Sequence, residues 1–289
     1  MLRLSSLALL LPLTLSLSAC GTEKTPATPT EKPAEGKEPP NTAATPAKAP
    51  TLTPEDLKKS AQNIALVPSP AEMQRALEKA GISGGLSKLV PDRKLKLDIA
   101  NLDIVAVRTG VILADTLLTV KDAPNDVLIA RMNMVKEGML ALKSGDDIKL
   151  TIEDIVARIQ NNGVSRDDLV KELDELHGAV IPEIKYEAGE QIVPLLQAGS
   201  WLAGSNLVAS AIISNNKPEA GGDLLRQPAV VDYFMKYVKV EGTSRAPADV
   251  LKQLEAALTT LGELSRQRAL TLDDVKKVKE VTDNVLGLL

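Results

Sequence analysis

The chain has 289 residues, with 34 Lys and Arg against 38 Asp and Glu, one Cys, one His and five aromatics (one Trp, three Tyr, one Phe). One Cys excludes an internal disulfide framework and any multi-cysteine zinc or iron–sulfur site. A formal net charge of −4, with no basic stripe carrying interleaved aromatics, argues against nucleic acid as a partner, while 44% apolar residues can build a sizeable core.

The first twenty residues have three parts. Arg3 gives a charged start, Leu7 to Leu17 an apolar run interrupted by Pro12, Thr14 and Ser16, and Leu17-Ser18-Ala19-Cys20 a small-residue end. The length suits a signal peptide and is too short for a mature membrane-spanning helix. Leu17-Ser18-Ala19-Cys20 resembles the lipobox of bacterial lipoprotein precursors. The resemblance covers about the first 21 residues; no family motif continues it into residues 53–289. It implies cleavage between Ala19 and Cys20, a diacylglycerol on the Cys20 thiol and acylation of the new amine. Two or three acyl chains hold stably in a bilayer, at ~0.8 kcal/mol per buried CH₂, where one holds only marginally. In Gram-negative lipoproteins an Asp after the Cys commonly retains the protein in the inner membrane. The resemblance therefore implies, through Gly21, a place in the outer membrane if the host is Gram-negative.

Residues 20–52 form the next segment. From Gly21 on, they hold seven of the 18 prolines, seven Thr and six Ala, and four Glu balance four Lys. Without apolar periodicity such a segment cannot offset its ordering entropy, so a disordered linker is expected. Extended, it reaches ~100 Å; as a coil, ~30 Å.

Helix signals dominate residues 53–289. Thr53-Pro54-Glu55-Asp56 and Ser69-Pro70-Ala71-Glu72 place a cap, a Pro at the first helical position and first-turn acids. Thr151, Ser165 and Thr271, each followed by acids, open three more. The expected helices are 54–67, 70–80, 98–121, 125–143, 152–162, 166–177, 190–214, 223–239, 248–264 and 272–287. Gly81, Gly145, Gly163, Gly178 and Gly221-Gly222 sit at expected stops. Only 94–99 alternates like a strand, and it is too short to imply a sheet. The expected fold is all-α, a single bundle of about ten helices.

Two helices stand apart. Residues 191–216 carry no charge, and 99–120 carry only Asp103, Arg108 and Asp115. A helix apolar nearly all round is central in a core or spans a membrane. Arg108 in one, and Asn206 with its Ser and Gly neighbours in the other, favour the core. Gly199, Ser200, Ala203, Gly204 and Ser205 allow another backbone to approach closely.

Candidate chemistry is sparse. Gly81-Ile82-Ser83-Gly84-Gly85 matches G-x-S-x-G, but a nucleophile elbow needs a strand before it, and here a helix precedes; a loop is expected. His177, beside Gly178 at an expected helix end, suits the helix dipole. The acidic pairs at 146–147, 153–154, 167–168 and 273–274 lack calcium-loop spacing. Asn101, Arg108, Asp115 and Asp122, seven apart, lie along one line of a helix. They form either a thin stripe of solvent-facing or internally paired groups, or a cleft where Arg108 meets an anionic ligand. Tyr233, Phe234 and Tyr237 gather three of the five aromatics, which suits a core or an interface. Trp201 lies in the uncharged helix. The possible contact residues are therefore Arg108, Asp115, Trp201, Tyr233, Phe234 and Tyr237.

No nucleophile–base pair, metal-ligand set, phosphate loop or cofactor fingerprint appears. The expectation is a lipid-anchored envelope protein, non-enzymatic and without cofactor or metal, whose helical domain binds an envelope protein partner. The alternative is a carrier of a small apolar or lipid ligand, which a large apolar cavity between helices 98–121 and 190–214 would favour.

Overall fold

Three caps read from the sequence start helices as expected. Ser69 Oγ accepts from the Glu72 amide at 3.2 Å while the Ser69 amide donates to Glu72 Oε2 at 2.7 Å. Thr271 and Asp274 repeat this capping box, and Ser165 Oγ accepts from the Asp168 amide at 3.1 Å. In a computed structural model of the chain, residues 66–289 are described. The signal segment, Cys20, the linker and nearly all of the first expected helix lie outside the described residues.

The described residues are all-α. Nine helices of ten residues or more run α1 (Pro70–Lys79), α2 (Leu102–Thr119), α3 (Asn125–Ala141), α4 (Asp146–Gln160), α5 (Arg166–Glu187), α6 (Val193–Asn215), α7 (Pro228–Glu241), α8 (Ala248–Ser265) and α9 (Leu272–Leu286). No strand is present among them. Residues 94–99 keep their alternating burial, with Leu97 inward and Lys94, Lys96 and Asp98 outward. They do so as an extended segment along α2, with no partner strand.

Helix α2 starts at Leu102, not 98, and α7 at Pro228, not 223; two other boundaries differ more. Helix α4 starts at Asp146, not 152. Its N-cap is Gly145, whose amide donates to the Glu183 carboxylate. Thr151 lies inside α4, where its hydroxyl donates to the Asp147 carbonyl at 2.8 Å. Helix α5 passes through Gly178 and Pro182 to Glu187. Val180, Ile181 and Ile184 are buried on this continuation, and their packing outweighs the Gly and Pro. His177 therefore sits in mid-helix, so the expected helix-end role does not apply.

Helices α2 and α6 are central. Thirteen of 18 residues are buried in α2 and 17 of 23 in α6. The two cross with their backbones in contact: a methyl on Gly199 would strike the Val107 carbonyl, and one on Gly110 the Leu196 carbonyl. On one side Val111, Ala114 and Leu118 of α2 join α6 and residues from α1, α7, α8 and α9 in one apolar cluster. On the other, Val105, Ile112, Leu113 and Leu117 join α3, α4 and α5 in a second. Residues Glu190–Asn215 are long and apolar enough to cross a membrane, yet 83% of their most apolar window is buried.

The polar line on α2 is a seam. Asp122 accepts from the Ser87 amide and hydroxyl, both at 3.1 Å, and Asp115 pairs with Arg93 at 2.7 Å. Arg108 Nη1 donates to the Lys96 carbonyl at 2.6 Å. Asn101 Oδ1 caps α2 by accepting from the Ile104 amide at 3.1 Å. The seven-residue spacing thus stitches the antiparallel segment 87–96 to one face of the central helix.

Candidate functional site

A pocket of about 400 Å³ opens where the N-terminal ends of α2 and α6 meet α7 and α8. Ile104 and Val107 come from α2, and Leu195, Ala198, Trp201 and Leu202 from α6. Phe234 and Val238 of α7 close one wall, and Leu254, Leu258 and Leu261 of α8 the facing one. The α8 residues recur at helical spacing, so one apolar stripe lines the space. Val285, Leu288 and Leu289 also line it, and Leu289 is bonded to Arg108. The volume falls within the ~300–1,000 Å³ of small-molecule sites, and the walls are largely apolar.

Most polar groups in the wall are already engaged. Trp201 Nε1 donates to Gln227 Oε1 at 2.8 Å, and its ring lies 5.3 Å from that of Phe234. The Tyr237 hydroxyl donates to the Gln191 carbonyl at 2.9 Å. Burial pushes the Tyr237 phenol up to about 12, so it is neutral at physiological pH. Arg245 Nη1 donates to both carboxylate oxygens of Asp103, at 2.8 and 2.9 Å. Asn101 is taken by its capping role.

Arg108 differs. Its guanidinium donates to two main-chain oxygens, those of Lys96 and Leu289. Its buried Nε, like that of Arg245, has no hydrogen-bond partner.

Of the six residues singled out from sequence, the pocket gathers four: Arg108, Trp201, Phe234 and Tyr237. Tyr233 stacks behind the wall, 5.1 Å from Phe234; burial, with Glu190 adding to it, raises its phenol to about 12. Asp115 lies deeper along α2, outside the pocket. Its carboxyl is raised by burial, against the pull of Arg93 and Arg131. Arg131 Nη1 donates to the Asp115 carbonyl at 3.3 Å and to Thr119 Oγ1 at 2.6 Å. Arg93 reaches Asn206 Oδ1 at 3.4 Å, and Asn206 Nδ2 donates to Asp283 Oδ1 at 2.7 Å and Thr282 Oγ1 at 3.0 Å. Asp115 thus belongs to a network tying α2 and α6 to α9.

Sequence reasoning missed Arg245, whose partner Asp103 is 142 positions away. It also missed the role of the α8 leucines, although their spacing was visible. Ser83 lies exposed in a loop where Gly81, Gly84 and Gly85 all have positive φ, and no strand precedes it. Among the described residues no three His, Cys, Asp or Glu side chains gather into a metal-holding group. No protein-family model, curated protein or solved structure matches the chain.

Proposed function

We propose that the chain is a lipid-anchored cell-envelope protein whose helical domain binds a small molecule with an apolar body, without catalysing a reaction on it. The pocket carries the ligand reading: about 400 Å³, apolar walls from α6, α7 and α8, and few polar groups among its lining residues. It opens beside the crossing of α2 and α6, against α7 and α8, and not between the two central helices where the carrier alternative looked for a cavity. Leu17-Ser18-Ala19-Cys20 supports the anchor, and Gly21 favours the outer membrane in a Gram-negative host. The partner-protein alternative has less support. Large exposed apolar residues such as Leu140, Leu150, Tyr186 and Val240 come from four different helices.

The test is purification from detergent-solubilised membranes, with mass spectrometry of what the protein retains. A retained apolar molecule that Ala198→Phe displaces is the expected result. Cys20→Ala should abolish fatty-acid labelling and release the protein from the membrane fraction. An empty protein that also binds no added apolar probe overturns the ligand reading; unchanged fractionation of Cys20→Ala overturns the anchor.

A further inference from the structure

We infer that the pocket takes an uncharged single-chain alkyl molecule and discriminates against organic anions and cations alike. This rests on the ligand-binding reading above and specifies the ligand's charge and shape.

The inference follows from where the wall's polar groups already point. Six polar side chains line the pocket, and each has a partner inside the protein. Asn101 Oδ1 accepts from the Ile104 amide at 3.1 Å. Arg245 Nη1 donates to both carboxylate oxygens of Asp103, at 2.8 and 2.9 Å. Arg108 donates from both Nη atoms, to the Lys96 and Leu289 oxygens. Trp201 holds Gln227, and Tyr237 holds the Gln191 carbonyl. The Nε atoms of Arg108 and Arg245 lack acceptors, yet both are closed to water, so they offer nothing to a molecule in the pocket.

An ion entering this space loses its hydration and meets no free opposite charge. Opening the Asp103–Arg245 pair to receive it would strand the other member of the pair. Burying a charge unpaired is costly, and a weak acid in such a place binds as its neutral form instead. An alkyl chain meets what the wall does offer, which includes Leu202, Leu254 and Leu258. Ile104 and Leu288 line the pocket while 37% and 42% exposed, so apolar surface continues out to its mouth. About 400 Å³ is near the small end of ligand pockets, which favours one alkyl chain over a two-chain lipid.

The experiment uses the full mature chain with Cys20→Ala and three probes of equal chain length: dodecanol, dodecanoate and dodecyltrimethylammonium. Dodecanol should bind roughly tenfold or more tightly than either ion at about pH 8. Any dodecanoate binding should weaken roughly tenfold per pH unit between about pH 6 and about pH 8, because only the neutral acid enters, while dodecanol binding stays level. An ion that binds as tightly as dodecanol, or dodecanoate binding that ignores pH, overturns the charge assignment and leaves the ligand-binding reading standing. No binding of any probe overturns both. Asp103→Asn tests the cause. It leaves Arg245 only Glu241, whose Oε2 is 3.9 Å from Nε, so dodecanoate should gain roughly threefold or more while dodecanol is unchanged. A folded variant with no gain for dodecanoate also overturns the assignment. The probe comparison in the unsubstituted pocket needs no variant and decides if this one fails to fold.

Discussion

Gly110 and Gly199 interlock where the two central helices cross. Gly110 of α2 lies against the Leu196 carbonyl of α6, and Gly199 of α6 against the Val107 carbonyl of α2. Each gap admits a hydrogen and no methyl. Gly199→Ala or Gly110→Ala should force the helices apart and cost about 1–3 kcal/mol or more. Urea denaturation measures this, and an unchanged midpoint in both variants would show that the crossing can open freely. Because Leu195, Ala198 and Trp201 lie on the same turns as Gly199, the variants should also alter the pocket.

Gly178 is the opposite case. It lies within α5 with open space where a Cβ would stand, and it is exposed. Gly178→Ala should raise stability by about 0.5–1 kcal/mol, because it lowers unfolded-state freedom without a clash. Destabilisation would indicate that the helix is bent or broken at this point in solution.

Asp115 and Arg93 are 6% exposed as a residue and 12% exposed in the side chain respectively, and their ion pair is 2.7 Å long. Asp115→Asn leaves Arg93 and Arg131 in a partly buried site without their carboxylate. A loss of about 3–5 kcal/mol is expected, since removing one partner of a buried pair strands the other charge. A loss below about 1 kcal/mol in denaturant unfolding would mean that Asp115 is already neutral, as its burial-raised carboxyl allows.

His177 is the single imidazole of the chain, so it gives one readable NMR signal. Burial lowers its pKa below the ordinary 6.5, while Asp174 and Glu72 act in the opposite direction. The native state therefore holds the proton less well than the unfolded chain. Stability contributed by neutral His177 is present above pH 6.5 and is lost as pH falls from 6.5 through the depressed native value. The imidazole titration should have its midpoint below 6.5, and His177→Gln should flatten the stability slope in that window. A midpoint at or above 6.5 contradicts the burial argument.

The elements most legible in the sequence were those set by local chemistry. Ser69, Ser165 and Thr271 cap helices because a hydroxyl three residues before an amide needs no tertiary help. Thr151 has the same kind of neighbours yet lies within α4, because Ile148 before it and Ile152 after it are buried on one face and carry the helix through this position. Gly178 and Pro182 read as an end until the apolar face of Val180, Ile181 and Ile184 is counted. Arg108, Trp201, Phe234 and Tyr237 were each visible as unusual, but nothing local showed that they surround one space. That fact depends on the α2–α6 crossing and on α8, whose leucines reach the pocket from more than fifty positions away from Trp201.

The sheath of α6 is assembled late. On one flank α2 precedes it in the chain, but α9 on the other supplies Thr282 to Asn206 from 76 positions downstream. A polypeptide emerging from its N-terminus therefore displays an uncharged 26-residue stretch, half covered, until its last helix arrives. During that interval the stretch resembles a membrane anchor to any machinery that sorts by hydropathy, and it is sticky to other nascent chains. A holding chaperone would guard that interval, and shortening the chain ahead of α9 should divert it to aggregates or into the bilayer.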